Sequence, residues 1–133
     1  MLKQALSSLA VVVMTIAVPL ALSGGQLTPE AFVVERASYR NWGFQVSRSA
    51  RVFGRFRAQG GSGNDIRVFV IDEDEFENFR NGRDVRSYYS SGQVSSGQID
   101  LRLRFGRYEI IFDNRIPPYS NKNITANIQL EED

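Results

Sequence analysis

Ile124-Thr125-Ala126-Asn127-Ile128-Gln129-Leu130-Glu131 is the stretch that decides the fold class, because its apolar and polar residues alternate without a break. Successive side chains of a β-strand point to opposite faces of a sheet. Strict alternation is therefore typical of a strand with one face on the core and the other in water. We predict a β-strand over these residues.

Shorter stretches upstream repeat this period and are separated by turn residues such as glycine, serine and asparagine. Further strands are predicted at residues 32–35, 42–46, 51–58, 66–71, 85–90, 98–105 and 106–113. Residues 66–71 are apolar at both alternating positions, which indicates a central strand covered on both faces. Many short strands with turns between them are typical of a sandwich. We therefore predict an all-β fold, a jelly-roll-like antiparallel β-sandwich of about eight strands with one short helix.

The alternation also predicts which side chains form the core and which face water. Within residues 98–105, the side chains expected to point inward are Ile99, Leu101, Leu103 and Phe105. Within residues 51–58, the inward set is Val52, Gly54, Phe56 and Ala58. Arginines occupy several of the outward positions between these residues.

The single helix is predicted at residues 73–81. Asp72 is placed to cap its first turn together with Glu75, and Gly82 is placed to end it. The same acidic run suggests an alternative, a calcium site that uses Asp72 and Asp74. Its spacing does not match the twelve-residue calcium loop, and helix capping explains the acidic residues without a metal.

Residues 1–23 have the order of a secretory signal peptide. Lys3 precedes a long apolar stretch, and the small residues Ala21 and Ser23 predict cleavage after Ser23. The alternative is an uncleaved membrane anchor, since the stretch approaches the roughly 20 residues that span a bilayer. Residues 24–31 are predicted to be a linker and residues 32–133 the domain. The chain is therefore expected to be exported, to a periplasmic or extracellular location, either free or anchored by its N-terminal segment.

Charge and composition exclude several function classes. Lys3 is the only charged residue of the predicted signal peptide, and removing it from the 16 basic residues leaves the domain balanced against 15 acidic ones. A neutral domain has no general attraction for nucleic acid. The chain has no histidine and no cysteine, so Ser-His-Asp and Cys-His catalysis and disulfide bonds are excluded, as is a lipoprotein anchor. We expect no catalytic residue, no metal and no cofactor.

Arginines and aromatic residues supply the candidates for binding. Arg102 and Arg104 share one outward strand face, and their guanidinium groups could hold a phosphate or carboxylate. Tyr88 and Tyr89 could form an aromatic platform for a sugar. For each pair a purely structural role is the alternative, as a solvated strand face for the arginines and as half-buried edge residues for the tyrosines. Arg51, Arg55 and Arg57 form a third outward set with the same two interpretations.

A succession of motifs carries a family resemblance. The motifs are VFGRFRA at 52–58, VFVIDED at 68–74, YYSSG at 88–92, IFDNR at 111–115 and KNI at 122–124. In this order they resemble the GOLD-like domains of the emp24/p24 type, in particular their short exported bacterial relatives. The resemblance covers residues 35–130. It implies a jelly-roll-like β-sandwich that contacts proteins or lipids and performs no known chemistry, with Asp113, Asn114 and Arg115 in a structural role.

Together these observations predict a non-catalytic exported binding module with a protein or lipid partner. The chain departs from p24 cargo adaptors, which have a cysteine pair and a C-terminal membrane span, so a role in cargo traffic is not implied. Two alternatives remain. One is a calcium-assisted, lectin-like domain that uses Asp72, Asp74 and Tyr88 or Tyr89, and the other is a small glycoside-active enzyme that uses a pair of carboxylates.

Overall fold

The computed structural model describes residues 24–61 and 63–133, which form an all-β fold. Seven strands form one antiparallel sheet: β1 Gly24–Gln26, β2 Ala31–Val34, β3 Tyr39–Gln59, β4 Ile66–Asp72, β5 Tyr89–Val94, β6 Ser96–Asp113 and β7 Lys122–Glu132. A 3-10 turn at Glu73–Glu75 and helix α1 at Phe76–Arg80 lie between β4 and β5. The predicted all-β class with one short helix is confirmed, with one strand fewer than expected. The signal peptide predicted for residues 1–23 lies outside the described residues.

The strands are ordered β1-β7-β3-β6-β4-β5 across the sheet, and β2 pairs with β7 on the same edge as β1. The central strands β3 and β6 are 21 and 18 residues long. Only the second half of β3, from Ala50 to Gln59, pairs with β7, and only the end of β6, from Tyr108 to Asp113, pairs with β4. The sheet thus has two halves that share β3 and β6. Both halves contribute to one hydrophobic core in a sandwich-like arrangement.

Two pairs of predicted strands are continuous in the structure. Residues 42–46 and 51–58 both belong to β3, and residues 98–113 form the body of β6. The register between β3 and β6 shifts between Val46 and Ser49, opposite Gly106, which has a φ of +150°. A bulge and a glycine bend a strand without ending its pairing. The break predicted from the sequence is therefore a bend within a paired ladder.

This bend reverses the alternation in β6. Ile99 and Leu103 are buried as predicted, but beyond Gly106 the residues that point into the main core are Tyr108, Ile110 and Phe112, which have even numbers. Phe105 lies at the reversal, and its side chain is 66% exposed. The prediction that Phe105 points into the core is wrong, because the bend resets which face each residue occupies.

The alternation in β7 is confirmed. The buried residues are Ile124, Ala126, Ile128 and Leu130, and the exposed ones include Thr125, Asn127 and Glu131. The buried side chains of β7 meet those of β3, β4 and β6 in the main core. Burial of this apolar surface is the main favourable contribution to folding.

Strand β4 is covered on both faces, as predicted. Ile66, Val68 and Val70 point into the main core. Ile71, on the opposite face, packs in a second cluster with Ile111 of β6 and Phe79 of α1. Helix α1 therefore lies over the outer face of β4 and β6.

The helix occupies most of the predicted range but starts differently. Its first turn, Glu73–Glu75, is 3-10, and Asp72 makes no capping hydrogen bond through its side chain. The predicted cap is wrong because the Asp72 carboxylate instead accepts from the Tyr88 hydroxyl. Gly82, with a φ of +73°, follows the helix and donates its N–H to the carbonyl of Phe79. Strand β5 begins at Tyr89, later than the predicted start at residue 85.

Asp113, at the end of β6, is a fully buried carboxylate held by two arginines. Its Oδ2 accepts from Arg67 of β4 at 2.6 Å, and its Oδ1 accepts from the Arg115 Nε at 2.9 Å. The Arg115 guanidinium also donates to the carbonyls of Phe79 and Arg80 at the end of α1. One buried carboxylate thus joins the sheet, the following loop and the helix.

The neighbouring Asn114 is also fully buried and ties three chain segments together. Its Nδ2 donates to the carbonyls of Val34, Glu35 and Ser120 at 2.8–3.2 Å. Its Oδ1 accepts from the buried ammonium group of Lys122 at 3.3 Å. These contacts satisfy buried polar groups and give Asn114 a structural role.

Candidate functional site

Of the four candidates Arg102, Arg104, Tyr88 and Tyr89, the first three line one small pocket near the bend of β6. Its volume is about 250 Å³. The lining residues are Asp72, Tyr88, Arg102, Leu103, Arg104, Phe105 and Tyr108, and we call this site the tyrosine pocket. The fourth candidate, Tyr89, is half-buried and packs against the main core, so the predicted tyrosine platform does not form.

The position of Tyr88 in the pocket is fixed by Asp72 and Tyr108. The Tyr88 hydroxyl donates to the Asp72 carboxylate at 3.1 Å. Its ring meets that of Tyr108 edge-on, with centroids 5.5 Å apart. The Tyr108 hydroxyl in turn donates to the carbonyl of Arg104 at 2.8 Å. These bonds connect the end of β4, the segment before β5 and the bend of β6 around one cavity.

The electrostatics of the pocket follow from this geometry. Burial raises the pKa of the Tyr88 phenol above its ordinary value, and the hydrogen bond to Asp72 raises it further. Burial also raises the pKa of Tyr108, where the negative charge of Asp72 adds to the effect and the positive charge of Arg104 opposes it. Both phenols are therefore neutral donors at physiological pH, next to one negative and one positive group.

The two arginines of the pocket differ in how they are paired. Arg102 forms an ion pair with Asp133, and this contact holds the pKa of the Asp133 carboxyl below its usual range. Arg104 is exposed and forms no ion pair among residues 24–61 and 63–133. Its guanidinium lies near the Phe105 ring, 5.9 Å from the centroid. Arg104 is thus the arginine available to a ligand.

Exposed aromatic surface also gathers at this pocket. Tyr88 is 52% exposed and Phe105 is 66% exposed. Elsewhere in the described part of the chain, the large hydrophobic side chains with comparable exposure are Val33 and Tyr119. Exposed aromatic rings beside an unpaired arginine are typical of a recognition surface.

A second, larger groove lies on the outward face of β7, β3 and β6, with a volume of about 780 Å³. The pairing register brings Arg55 between Asn127 and Gln98, and Arg57 between Thr125 and Ser96. Glu30 also lines the groove. The outward arginine face predicted from the sequence is therefore present.

The arginines of this face are only partly neutralised. Arg51 forms a bidentate pair with Asp100, at 3.0 and 3.1 Å. Arg55 and Arg57 form no ion pair within the described ranges. Their cross-strand neighbours are neutral amides and hydroxyls, so the groove is polar and weakly basic.

Acidic groups are dispersed. No group of three or more Asp or Glu residues in the part of the chain that the structure describes lies close enough together to hold a metal ion. The tyrosine pocket contains one carboxylate, Asp72, and the groove contains one, Glu30. Asp74, the other residue proposed for a calcium site, is exposed and does not line the tyrosine pocket.

The sequence grouped Asp72 with Tyr88 only in the calcium-site alternative, and it gave no indication that Phe105 and Tyr108 lie beside Tyr88 and Arg104. The alternation predicts Phe105 in the core, and the acidic run favours a helix cap for Asp72. The one indication of this site in the sequence is Gly106. The apolar residues before it have odd numbers, and the alternating apolar residues after it have even numbers.

None of the helices in residues 24–61 and 63–133 has the length and apolar character needed to cross a bilayer. No protein-family model matches the chain, and no curated protein matches it in sequence.

Proposed function

We propose that this chain is a non-catalytic, exported binding module of GOLD-like type that contacts a protein or lipid partner through the tyrosine pocket. The observation that supports this function best is the convergence of Tyr88, Arg104 and Asp72 in one small cavity. These residues come from three separate segments of the chain and line the same cavity, where the Tyr88 hydroxyl donates to Asp72. Concave sites with a few convergent polar groups and aromatic walls are typical of ligand recognition.

The non-catalytic part of the proposal rests on the residue types available. The chain has no histidine or cysteine to act as a base or nucleophile near neutral pH. Glycoside hydrolysis requires two carboxylates across a cleft, and the tyrosine pocket and the groove each contain one. Binding is the function that these side chains can support.

The GOLD-like part of the proposal rests on the order of sequence motifs and on their places in the fold. The VFGRFRA motif lies in β3, the VFVIDED motif begins in β4 and ends in the 3-10 turn, and the IFDNR motif lies at the end of β6. A sandwich-like sheet with these motifs on three neighbouring strands is consistent with such a domain. The proposal of export rests on the signal-peptide pattern of residues 1–23. N-terminal sequencing of protein recovered outside the cytoplasm tests it, and the expected first residue is Gly24.

Binding is tested by cross-linked capture from the source envelope and by sedimentation with lipid vesicles, using the purified full-length protein. We expect Tyr88→Ala to reduce partner recovery by about tenfold, the size of effect seen when a central aromatic contact is removed. Tyr119→Ala is the matched control, because Tyr119 is 54% exposed against 52% for Tyr88 and does not line the pocket.

Equal recovery by the Tyr88→Ala and Tyr119→Ala variants would contradict the assignment of the contact to the tyrosine pocket. A hydrolase screen tests the other part of the proposal. Turnover that is lost in the Asp72→Asn variant would show that the pocket is catalytic.

A further inference from the structure

The tyrosine pocket is lined by one carboxylate, Asp72, and by two arginines, of which Arg102 is paired with Asp133 and Arg104 has no ion-pair partner in the described ranges. Asp72 accepts a hydrogen bond from the neutral Tyr88 phenol, and no ion pair joins it to Arg104. Both charges nevertheless act on the same group, because Asp72 raises and Arg104 lowers the pKa of Tyr108. A cavity with separate acidic and basic groups around one ring is complementary to a ligand that itself carries both charges.

The negative end of the pocket favours a particular kind of cation. A primary ammonium donates up to three hydrogen bonds and needs several acceptors. The Asp72 carboxylate already accepts a hydrogen bond from Tyr88, and the aromatic residues Tyr88, Phe105 and Tyr108 line the same cavity. A quaternary ammonium donates no hydrogen bonds and is held by ring faces and a nearby negative charge. The wall chemistry therefore favours a quaternary ammonium.

The positive end favours a phosphate. Arg104 presents a guanidinium with five N–H donors and has no carboxylate partner within residues 24–61 and 63–133. Its planar fork matches two phosphate oxygens. The cavity volume of about 250 Å³ is below that of pockets for drug-sized ligands, which suits a small headgroup.

We infer that the tyrosine pocket binds a phosphocholine group, with its quaternary ammonium near Asp72, Tyr88 and Phe105 and its phosphate on Arg104. The inference rests on the proposed function and names the ligand chemistry of the same site. The group could be a free solute or the headgroup of a lipid, and the two sources share this chemistry.

The test is an NMR titration of the isotopically labelled full-length protein with phosphocholine, choline or inorganic phosphate. Phosphocholine is expected to shift the backbone amide signals of residues 88 and 103–105, and to bind at least about tenfold more tightly than choline or phosphate. Arg104→Gln should remove the response to phosphate and keep the response to choline. Asp72→Asn should do the reverse, and its side-chain oxygen can still accept from Tyr88.

Two variants serve as matched controls. Arg55→Gln removes another exposed arginine that has no ion-pair partner in the described ranges, and Asp74→Asn removes an exposed carboxylate two residues from Asp72. Both should bind phosphocholine within about twofold of the unchanged protein. Amide spectra that match the unchanged protein away from the substituted site confirm that each variant is folded.

Vesicles distinguish the two sources of the ligand. If the protein sediments with phosphatidylcholine vesicles, and free phosphocholine prevents this sedimentation, the ligand is a lipid headgroup. Binding of free phosphocholine without vesicle binding would identify a soluble ligand. The absence of shifts at millimolar phosphocholine, or unchanged affinity in both the Arg104→Gln and Asp72→Asn variants, would overturn the inference. If Tyr88→Ala still reduced partner capture in that case, the proposed function would stand without the phosphocholine inference.

Discussion

Arg115 donates two hydrogen bonds to the buried carboxylate of Asp113, one from its backbone N–H at 3.1 Å and one from Nε at 2.9 Å. The rest of its guanidinium caps the last carbonyls of α1 and packs against the Phe79 ring, 4.2 Å from the centroid. The helix that covers β4 is therefore held to the sheet by a charge network as well as by apolar contacts.

Asp113→Asn should destabilise the fold by on the order of 3 kcal/mol, because it leaves Arg67 and Arg115 without their shared counter-charge. Urea unfolding followed by tryptophan fluorescence measures the change. The control is Asp100→Asn, which removes an exposed partner of Arg51 and should cause a much smaller loss. Equal losses in the two variants would show that the buried network contributes no more than a surface pair.

Asn114→Ala should cost about 2 to 3 kcal/mol, because three backbone carbonyls and the Lys122 ammonium lose a buried partner together. Amide hydrogen exchange at residues 31–34 should also speed up, since Asn114 bonds the carbonyl at the end of β2. Asn127→Ala, at an exposed position in β7, is the control and should leave both measurements nearly unchanged.

Gly54→Ala should destabilise the fold by more than Gly25→Ala. Both glycines have a positive φ, +150° and +135°, so alanine is strained at each. At Gly54, however, an added Cβ would lie 1.9 Å from the Asn127 carbonyl oxygen, whereas at Gly25 nothing lies within 4 Å. Thermal unfolding of the two variants isolates this steric contribution, and a smaller loss at Gly54 would contradict the close approach of β3 to β7.

Stability should fall at alkaline pH. The folded state raises the pKa of Tyr88, Tyr89 and Tyr108, chiefly through burial. A raised pKa means that the folded state holds the phenolic proton more tightly than the unfolded state does. The corresponding stability is complete below the ordinary tyrosine pKa of about 10 and is lost as the pH rises through the folded-state values.

Urea unfolding between neutral pH and pH values above the ordinary tyrosine pKa measures this loss. The Tyr88→Phe variant should show a smaller loss, because one of the three perturbed phenols is absent. A free energy of unfolding that stayed constant across this range would contradict the burial of these phenols.

The sequence predicted what depends on local periodicity. The alternation in β7, the two covered faces of β4 and the glycine that ends α1 were all readable from neighbouring residues. The continuity of β3 and β6 could not be predicted from neighbouring residues. A bulge opposite Gly106 preserves the pairing of these strands where local signals indicate a turn. Asp72 was assigned to the wrong partner because a tyrosine sixteen residues away in sequence competes with the adjacent backbone for its carboxylate.

The site could be predicted only in part, for the same reason. Tyr88 and Arg104 were candidates by residue type, but their meeting depends on the register of β4 with β5 and β6. Phe105 lines the pocket because the inward and outward positions of β6 are exchanged at the bend. Pairing register between distant strands is set by the whole core and cannot be obtained from one strand at a time.

The place of β7 between β3 on one side and β1 and β2 on the other has a kinetic consequence. β7 follows in sequence every strand with which it pairs, and the register joins Gly24 to Glu131 across nearly the whole described chain. Closing such distant pairs is slow, since the entropy of a long loop is lost before the contacts form. A ribosome-bound chain without β7 leaves one edge of β3 open. We therefore expect the domain to remain incompletely folded until synthesis has passed β7.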